Sequence, residues 1–351
     1  MHRRSTSRLS GRGAPALLGL ALFAQGACAG NPHCTLDGVA VDPASPASTR
    51  GLTGLLQCRD GIGGPLASSA RYVDGQQLGL STRYQADGGL RRVAFRAETG
   101  GERAMAEFTA QGQLSQLRCA DEPLLAPAVD DARLCGFVDG KPAEVDLFDE
   151  EGRRRSRLVW RAGKLQRAES YYDNGGIATQ EAWIGNRRIV REYASEDGAR
   201  RSETVYLLEH GRSLRISLRQ YGPGDLLLRE QTWTAAGTAL RDDLYHSSRG
   251  GLQSSTRYAG QGQARRADVA EYFENGRLAY QGRYRAPPQG PMTPVGSHRR
   301  FDTSGVPTVE SVYADDGRWM RERAWNEAGE LVRDQFIAEG GPAPGALGAS
   351  R

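Results

Sequence analysis

From Tyr72 onward the chain repeats one short pattern: a polar and apolar run near an aromatic ring, a turn-forming glycine, then a large apolar residue. The rings fall at Tyr72, Tyr84, Phe95 and Phe108, resume at Phe137, Phe148, Trp160, Tyr172, Trp183, Tyr193 and Tyr206, and continue to Trp325 and Phe336. Most steps are about 10 to 13 residues, a spacing that no single helix face explains. Glycines follow as Asp87-Gly88, Glu151-Gly152, Asn174-Gly175, Asp197-Gly198, Asn275-Gly276 and Asp316-Gly317, with Leu90, Leu165, Leu278 and Trp319 two residues beyond a glycine. Asn-Gly and Asp-Gly supply the positive φ of a tight hairpin turn. The seven or eight residues left in each unit, rich in Thr, Val, Tyr, Trp, Arg and Glu, have the length and composition of a strand. The pattern predicts an all-β fold, an antiparallel β-hairpin repeat array with about 12 residues per strand and turn.

One unit carries too few apolar residues for a core of its own and must stack on its neighbours. Open sheets beyond about ten strands curl or split, so a break is expected at the Cys-bounded insertion 120–134 or at the linker 285–300, which holds Pro287, Pro288, Pro291 and Pro294. The chain divides into a leader, 1–29, a cysteine-containing segment, 30–71, and a first repeat block, 72–119. After the insertion come a second block, 135–284, the linker, final repeats, 301–339, and a Gly/Pro/Ala-rich tail, 340–351, expected to be disordered.

Three stretches, Tyr171-Tyr172-Asp173-Asn174-Gly175, Glu271 to Leu278 and Trp325 to Leu331, resemble the bacterial MORN-variant repeat family, often described as YwqK-type antitoxin components. The resemblance covers roughly residues 72 to 336 and implies a β-hairpin array without a catalytic centre that binds another protein. Phe301-Asp302-Thr303-Ser304-Gly305 is similar to the YD repeats of Rhs-type shell proteins.

Composition narrows the picture. Only 38% of residues are apolar, which excludes a multi-span membrane protein. The formal charge of +4 disappears once Arg3, Arg4, Arg8 and Arg12 of the leader are set aside, which removes the electrostatic case for a nucleic-acid partner. That leader, basic and then apolar from Ala14 to Ala24, reads as a secretory signal and is too short to span a bilayer. Cleavage after Ala29 releases a soluble chain; a lipobox reading, with the signal ending at residue 27, makes Cys28 a lipidated N-terminus and the membrane anchor. The expected location is the periplasm or cell envelope.

Cys34, Cys58, Cys119 and Cys135 remain, an even set that predicts two disulfides in an oxidising compartment. Of three connectivities the sequential one closes two short loops, each contributing about 3 kcal/mol. No CxxC occurs and His2, His33, His210, His246 and His298 are scattered, so neither a metal nor any other cofactor is expected. Each histidine is read as exposed and structural. Sequence signatures of an enzyme are missing: no G-x-S-x-G, no HExxH, and neither Lys141 nor Lys164 sits in a P-loop. The acidic pairs Asp242-Asp243 and Asp315-Asp316 have the chemistry of catalytic carboxylates or cation ligands, but Asp316 directly precedes the turn glycine Gly317 and the reading preferred is a solvated turn. All but those two lysines of the 46 basic residues are arginine, read as partners of Glu on neighbouring strands.

If Tyr172 and Phe273 are the repeat anchors, Tyr171 and Tyr272 point to the opposite face. They are the candidate binding aromatics, and packing against a second layer or covering the sheet is the reading preferred for them. The expectation is a non-catalytic exported protein that binds another protein, a toxin or envelope component, through an extended sheet surface. Two alternatives are an envelope hydrolase with its site in the N-terminal segment or the insertions, and a structural, lipid-associated component.

Overall fold

The computed structural model describes residues 32–129 and 133–336. The leader with Cys28 and the 340–351 tail lie outside the described residues. The chain is all β: two antiparallel sheets of 8 and 16 strands, neither closed into a barrel. Among the described residues, helix is confined to Pro46–Thr49, Ala126–Val129 and two short 3₁₀ turns. Among the described residues no helix is long and apolar enough to cross a membrane.

The first sheet begins with Val39–Ala40, His33–Leu36 and Gly54–Arg59, then follows chain order from Leu66–Val73 to Leu114–Arg118. The sheet therefore starts well before the first aromatic of the repeat. Cys34 lies directly opposite Cys58 and is bonded to it, while Cys119 is bonded to Cys135, which is the sequential connectivity. Both cysteines of the first bridge pack with Leu36, Leu56, Ala70 and Tyr72. The connection after Arg118 folds over a second cluster, in which Leu125 seals Val93, Ala104 and Ala106. This first sheet thus has a true core, because the insertion supplies a second layer that its strands lack.

The second sheet runs as an uninterrupted meander from Ala143–Phe148 to Leu331–Phe336, its strands 6 to 11 residues long. The break between sheets falls at the Cys-bounded connection. The proline-rich stretch does not break the sheet: Leu278–Arg285 pairs with Thr293–Phe301, and Pro294 sits opposite Tyr284. Pro294 is tolerated near the start of its strand, beside a register shift and the left-handed Gly296 (φ 70°), where ladder bonding is already irregular. Only residues 286–292 form the connection.

Two kinds of turn recur between the strands, and the dipeptide alone does not decide which. At Asn174-Gly175 only the glycine has positive φ (80°); Tyr172 N–H donates to Gly176 O at 2.8 Å and Gly175 N–H to Tyr172 O at 2.9 Å. This is a turn with a glycine bulge, and the pairing register shifts between Ser170 and Tyr171. At Ala162-Gly163 and His210-Gly211 both residues have positive φ, giving two-residue turns that match the strand twist.

Bulk apolar burial is sparse in the second sheet, and arginine takes the place of a second layer. The Arg154 guanidinium lies 4.3 Å above the Tyr171 ring, Arg200 3.9 Å above Tyr221 and Arg215 4.4 Å above Trp233. A flat cation over a ring shields it from water while its own charge stays solvated.

Candidate binding cleft in a row of charges

Residues directly opposite one another on neighbouring strands share a face. Following the pairing across the second sheet traces one line with one residue from every strand. It begins Asp146, Arg157, Glu169, Gln180, Arg191, Glu203, Arg219, Glu230 and Asp243. It continues through Ser255, Ala270 and Gln281 and ends Arg299, Glu310, Arg323 and Asp334.

The charged parts of this row satisfy themselves. Arg157 Nε lies 2.9 Å from Asp146, Arg191 Nε 2.8 Å from Glu203, and Arg219 Nε 2.8 Å from Glu230. Arg299 and Arg323 converge on Glu310 at 2.9 and 3.5 Å. Where two acids meet, at Glu230 and Asp243, Arg241 folds over both, 3.4 Å from the first and 2.6 Å by its Nε from the second. The Ser297 hydroxyl and Arg299 together hold the Glu310 carboxyl below its ordinary range against the opposing effect of burial. The Arg157 hydrogen bond does the same for Asp146.

The row loses charge and bulk at Ser255, Ala270 and Gln281. There the same face opens into a cleft of about 520 Å³. Tyr272, Gly282 and Ser297 join those three in its lining, together with Arg257, Asp268 and Arg283. Arg283 Nε pairs with Asp268 at 2.6 Å and Arg257 Nη1 with Asp243 at 2.9 Å, so the charges around the cleft are matched while Gln281 and Ser297 are exposed. The surface offered is an aromatic ring and an amide between neutralised charges, the composition of a recognition patch.

Behind the cleft, Gly282 makes room for a buried polar cluster. Its missing side chain leaves the space occupied by Tyr280 Oη and His298 Nδ1. The Tyr280 hydroxyl contacts Tyr284 Oη and His298 Nδ1, each at 2.6 Å, and His298 Nε2 lies 2.8 Å from Arg283 O. Rings of Tyr284 and Tyr313 close on the imidazole edge-on at 4.9 and 4.8 Å. Burial depresses the His298 pKa and pushes the Tyr280 hydroxyl up. His298 is therefore a buried structural histidine, and His246 is half-buried, whereas His33 and His210 are exposed as the sequence suggested. An alanine at 282 must displace this cluster. Gly282→Ala is expected to cost about 2 kcal/mol in chemical denaturation, while Gly251→Ala, whose new methyl meets nothing within 4 Å, stays within about 0.5 kcal/mol of wild type.

The two candidate aromatics lie apart. Tyr171, in the strand Lys164–Tyr171, is 9% exposed under Arg154, and its hydroxyl donates to Glu169 Oε2 at 2.8 Å. It packs against the sheet and offers no free ring. Tyr272 ends Arg266–Tyr272, eight strands further along, and is half-buried in the cleft wall. Nothing local in the sequence marks Ser255, Ala270, Gln281 or Ser297; the signal is the loss of charge at three positions that only the register brings into line. Among the described residues no group of three or more His, Cys, Asp and Glu is placed to hold a metal ion.

Open antiparallel hairpin arrays of this kind define the class. No protein-family model matches the chain, and no curated protein matches it. Among solved structures it is similar to TarM, at 5% identity over 26% of this chain and 17% of that one, with a TM-score of 0.21. It is similar to TcdB2-TccC3 without its hypervariable C-terminal region at 12% identity, over 84% of this chain and 19% of that one, TM-score 0.21. A third likeness is to a protein of unknown function from Bacteroides fragilis, 10% identical over 42% of this chain and 91% of that one, TM-score 0.13. The chain spans less than a fifth of the length of the first two.

Proposed function

We propose that this chain is an exported, non-catalytic β-repeat protein that binds another protein through the face of its 16-stranded sheet, with the cleft at Tyr272 as the centre of contact. The observation that carries the reading is the gap in the charge row: along the rest of the line the charged groups largely answer one another, whereas at Ser255, Ala270 and Gln281 the line is uncharged and sets the exposed Gln281 amide beside the Tyr272 ring. Aromatic centres ringed by satisfied charges are where binding energy concentrates in protein interfaces.

The resemblance to MORN-variant repeats supports a protein as the occupant, a toxin or an envelope component. The two disulfides support an oxidising compartment. Within the cleft, carboxylates are tied to arginines and His298 has both ring nitrogens engaged, an arrangement suited to recognition and not to proton transfer.

The test uses the full exported chain carrying a photo-crosslinking residue at Gln281 or Ser297, both exposed. One stoichiometric protein adduct is expected in the envelope. Tyr272→Ala should weaken that partner about thirtyfold while leaving the thermal midpoint in place. Turnover by the purified chain in a broad hydrolase screen, or an adduct indifferent to Tyr272→Ala, overturns the reading.

A further inference from the structure

The two sheets have four edges, and they are finished differently. The inner edges, Leu114–Arg118 and Ala143–Phe148, approach one another, and Ala110 N–H donates to Glu150 Oε2 across the joint at 3.2 Å. The N-terminal edge is a two-residue strand, Val39–Ala40, a length too short to template a partner. The C-terminal edge is a full strand, Leu331–Phe336, paired on one side only among the described residues. All six of its residues are exposed, with Leu331 51%, Val332 62% and Phe336 68% accessible. An unpaired strand of that length presents a row of free backbone donors and acceptors.

We propose that the outer edge of Leu331–Phe336 is a strand-docking site, which takes an extended segment of another protein carrying arginine opposite Asp334 and an acidic residue opposite Arg333. The proposal deepens the protein-binding reading above and rests on it. The pairing rule comes from the sheet itself. Asp334 is the last member of the charge row and faces Arg323 on its inner side; Arg321 also holds it, by its Nε at 2.8 Å. Each acid at Glu203 and Glu310 in that row has arginine on both sides, whereas Asp334 has arginines on its inner side only, and Arg333 likewise meets its acid, Glu322, on that side. A docked strand continues the alternation and adds main-chain hydrogen bonds, the mode of β-strand addition.

A second copy of this chain does not fit. Two copies pairing antiparallel about a two-fold axis keep the same face upward, so each residue meets one of matching parity. Arg333 then meets Arg333 or a neighbour two positions away, never Asp334, and Asp334 meets Asp334, Val332 or Phe336. Like charges directly opposite destabilise the pair. The sequence of residues 337–351 does not carry that charge pattern: it holds Pro342, Pro344 and four glycines, and its charged residues are Glu339 and Arg351.

The experiment adds a synthetic hexapeptide to the intact, disulfide-bonded chain. Read antiparallel, the peptide sets a β-branched residue against Phe336, arginine against Asp334, glutamate against Arg333 and a β-branched residue against Val332. Fluorescence anisotropy should show saturable binding, and hydrogen exchange should slow across 331–336. A control peptide with its arginine and glutamate exchanged should bind about tenfold more weakly. Val332→Lys, at an exposed site, should weaken the designed peptide without shifting the thermal midpoint. Equal binding of the two peptides, or slowed exchange confined to the cleft around Ala270 and Gln281, overturns the edge proposal. So does a concentration-dependent dimer of the chain protected at 331–336. If the peptide fails while the Tyr272-dependent adduct persists, the edge proposal falls and the face reading stands; loss of that adduct's dependence on Tyr272 strikes the face reading instead.

Discussion

Gly163→Ala is expected to destabilise the chain by about 4 kcal/mol, the sum of a left-handed backbone that an L side chain resists and a collision that has nowhere to go. Gly163 has φ 71° and closes the two-residue turn between Arg154–Arg161 and Lys164–Tyr171. A methyl there would sit inside the van der Waals radius of the Ala120 carbonyl oxygen and within 2.9 Å of the Phe137 ring. Both obstacles are fixed: Ala120 follows the bridged Cys119, and Gly163 N–H is held to Cys135 O at 2.9 Å. Ala162 N–H donates to Gly136 O at 2.9 Å, and Gly136 in turn lies so close to the Trp160 carbonyl that it too must lack a side chain. The disulfide-bounded connection is thus clamped to the first two-residue turn of the second sheet through two glycines. The control is Gly185→Ala, at φ 59° with nothing within 4 Å of the new methyl, which should cost only about 1 to 2 kcal/mol of backbone strain. Equilibrium denaturation of both variants decides the matter: equal losses would mean that the clamp contributes nothing beyond the turn conformation.

The hairpins were legible because ring and glycine recur within a single strand-turn unit, and local signals survive without knowledge of partners. Gly175 and Gly163 show where that ends. Asn174-Gly175 is the stronger dipeptide for a two-residue turn, yet it makes the bulged one, with the register shifting beside Tyr171. The sequence leaves both a free and a packed Tyr171 open, because it does not show that Arg154, one strand earlier, covers the ring. His298 looked exposed because its burial depends on a missing side chain at Gly282 and on rings from Tyr284 and Tyr313, each on a neighbouring strand. The charge row is the extreme case. Its members are separated by about 11 to 18 residues at irregular intervals, since turns of different length change the count between strands, so only the register aligns them. The arginine richness pointed to pairing across strands, but not to the one interval in which the pairing stops.

The same row makes Asp243 the carboxylate on which the middle of the second sheet most depends. It is completely buried, with Arg241 Nε at 2.6 Å and Arg257 Nη1 at 2.9 Å on its two oxygens. Burial alone would raise its pKa; hydrogen bonds from Arg241 and Ser255 and the charge of Arg257 outweigh it and hold the group below the ordinary carboxylate range. Asp243→Ala leaves two guanidinium groups facing an empty site. Removing one member of a buried ion pair costs about 3 to 5 kcal/mol, and the low end applies because Arg241 and Arg257 are 35% and 49% accessible and can turn toward water. Asp243→Asn keeps the shape and loses the charge, which isolates the electrostatic part. A carboxyl whose pKa is depressed by folding stabilises the folded state above its unfolded pKa, and that contribution drains away as pH falls through the folded value. Wild type should therefore exceed Asp243→Asn by a constant margin above about pH 5, where the unfolded carboxyl is ionised, and lose that margin progressively as pH falls below about 4, the unfolded pKa, toward the lower folded value. Other carboxylates, Asp146 and Glu310 among them, titrate in both proteins and cancel in the difference, since sites this far apart along the sheet act independently. Denaturation midpoints measured across pH 2 to 8 give the margin directly. A difference that stays flat down to pH 2 would mean that Asp243 is held by shape and hydrogen bonding alone, and the row of charges would then have no claim to ordering the face around the cleft.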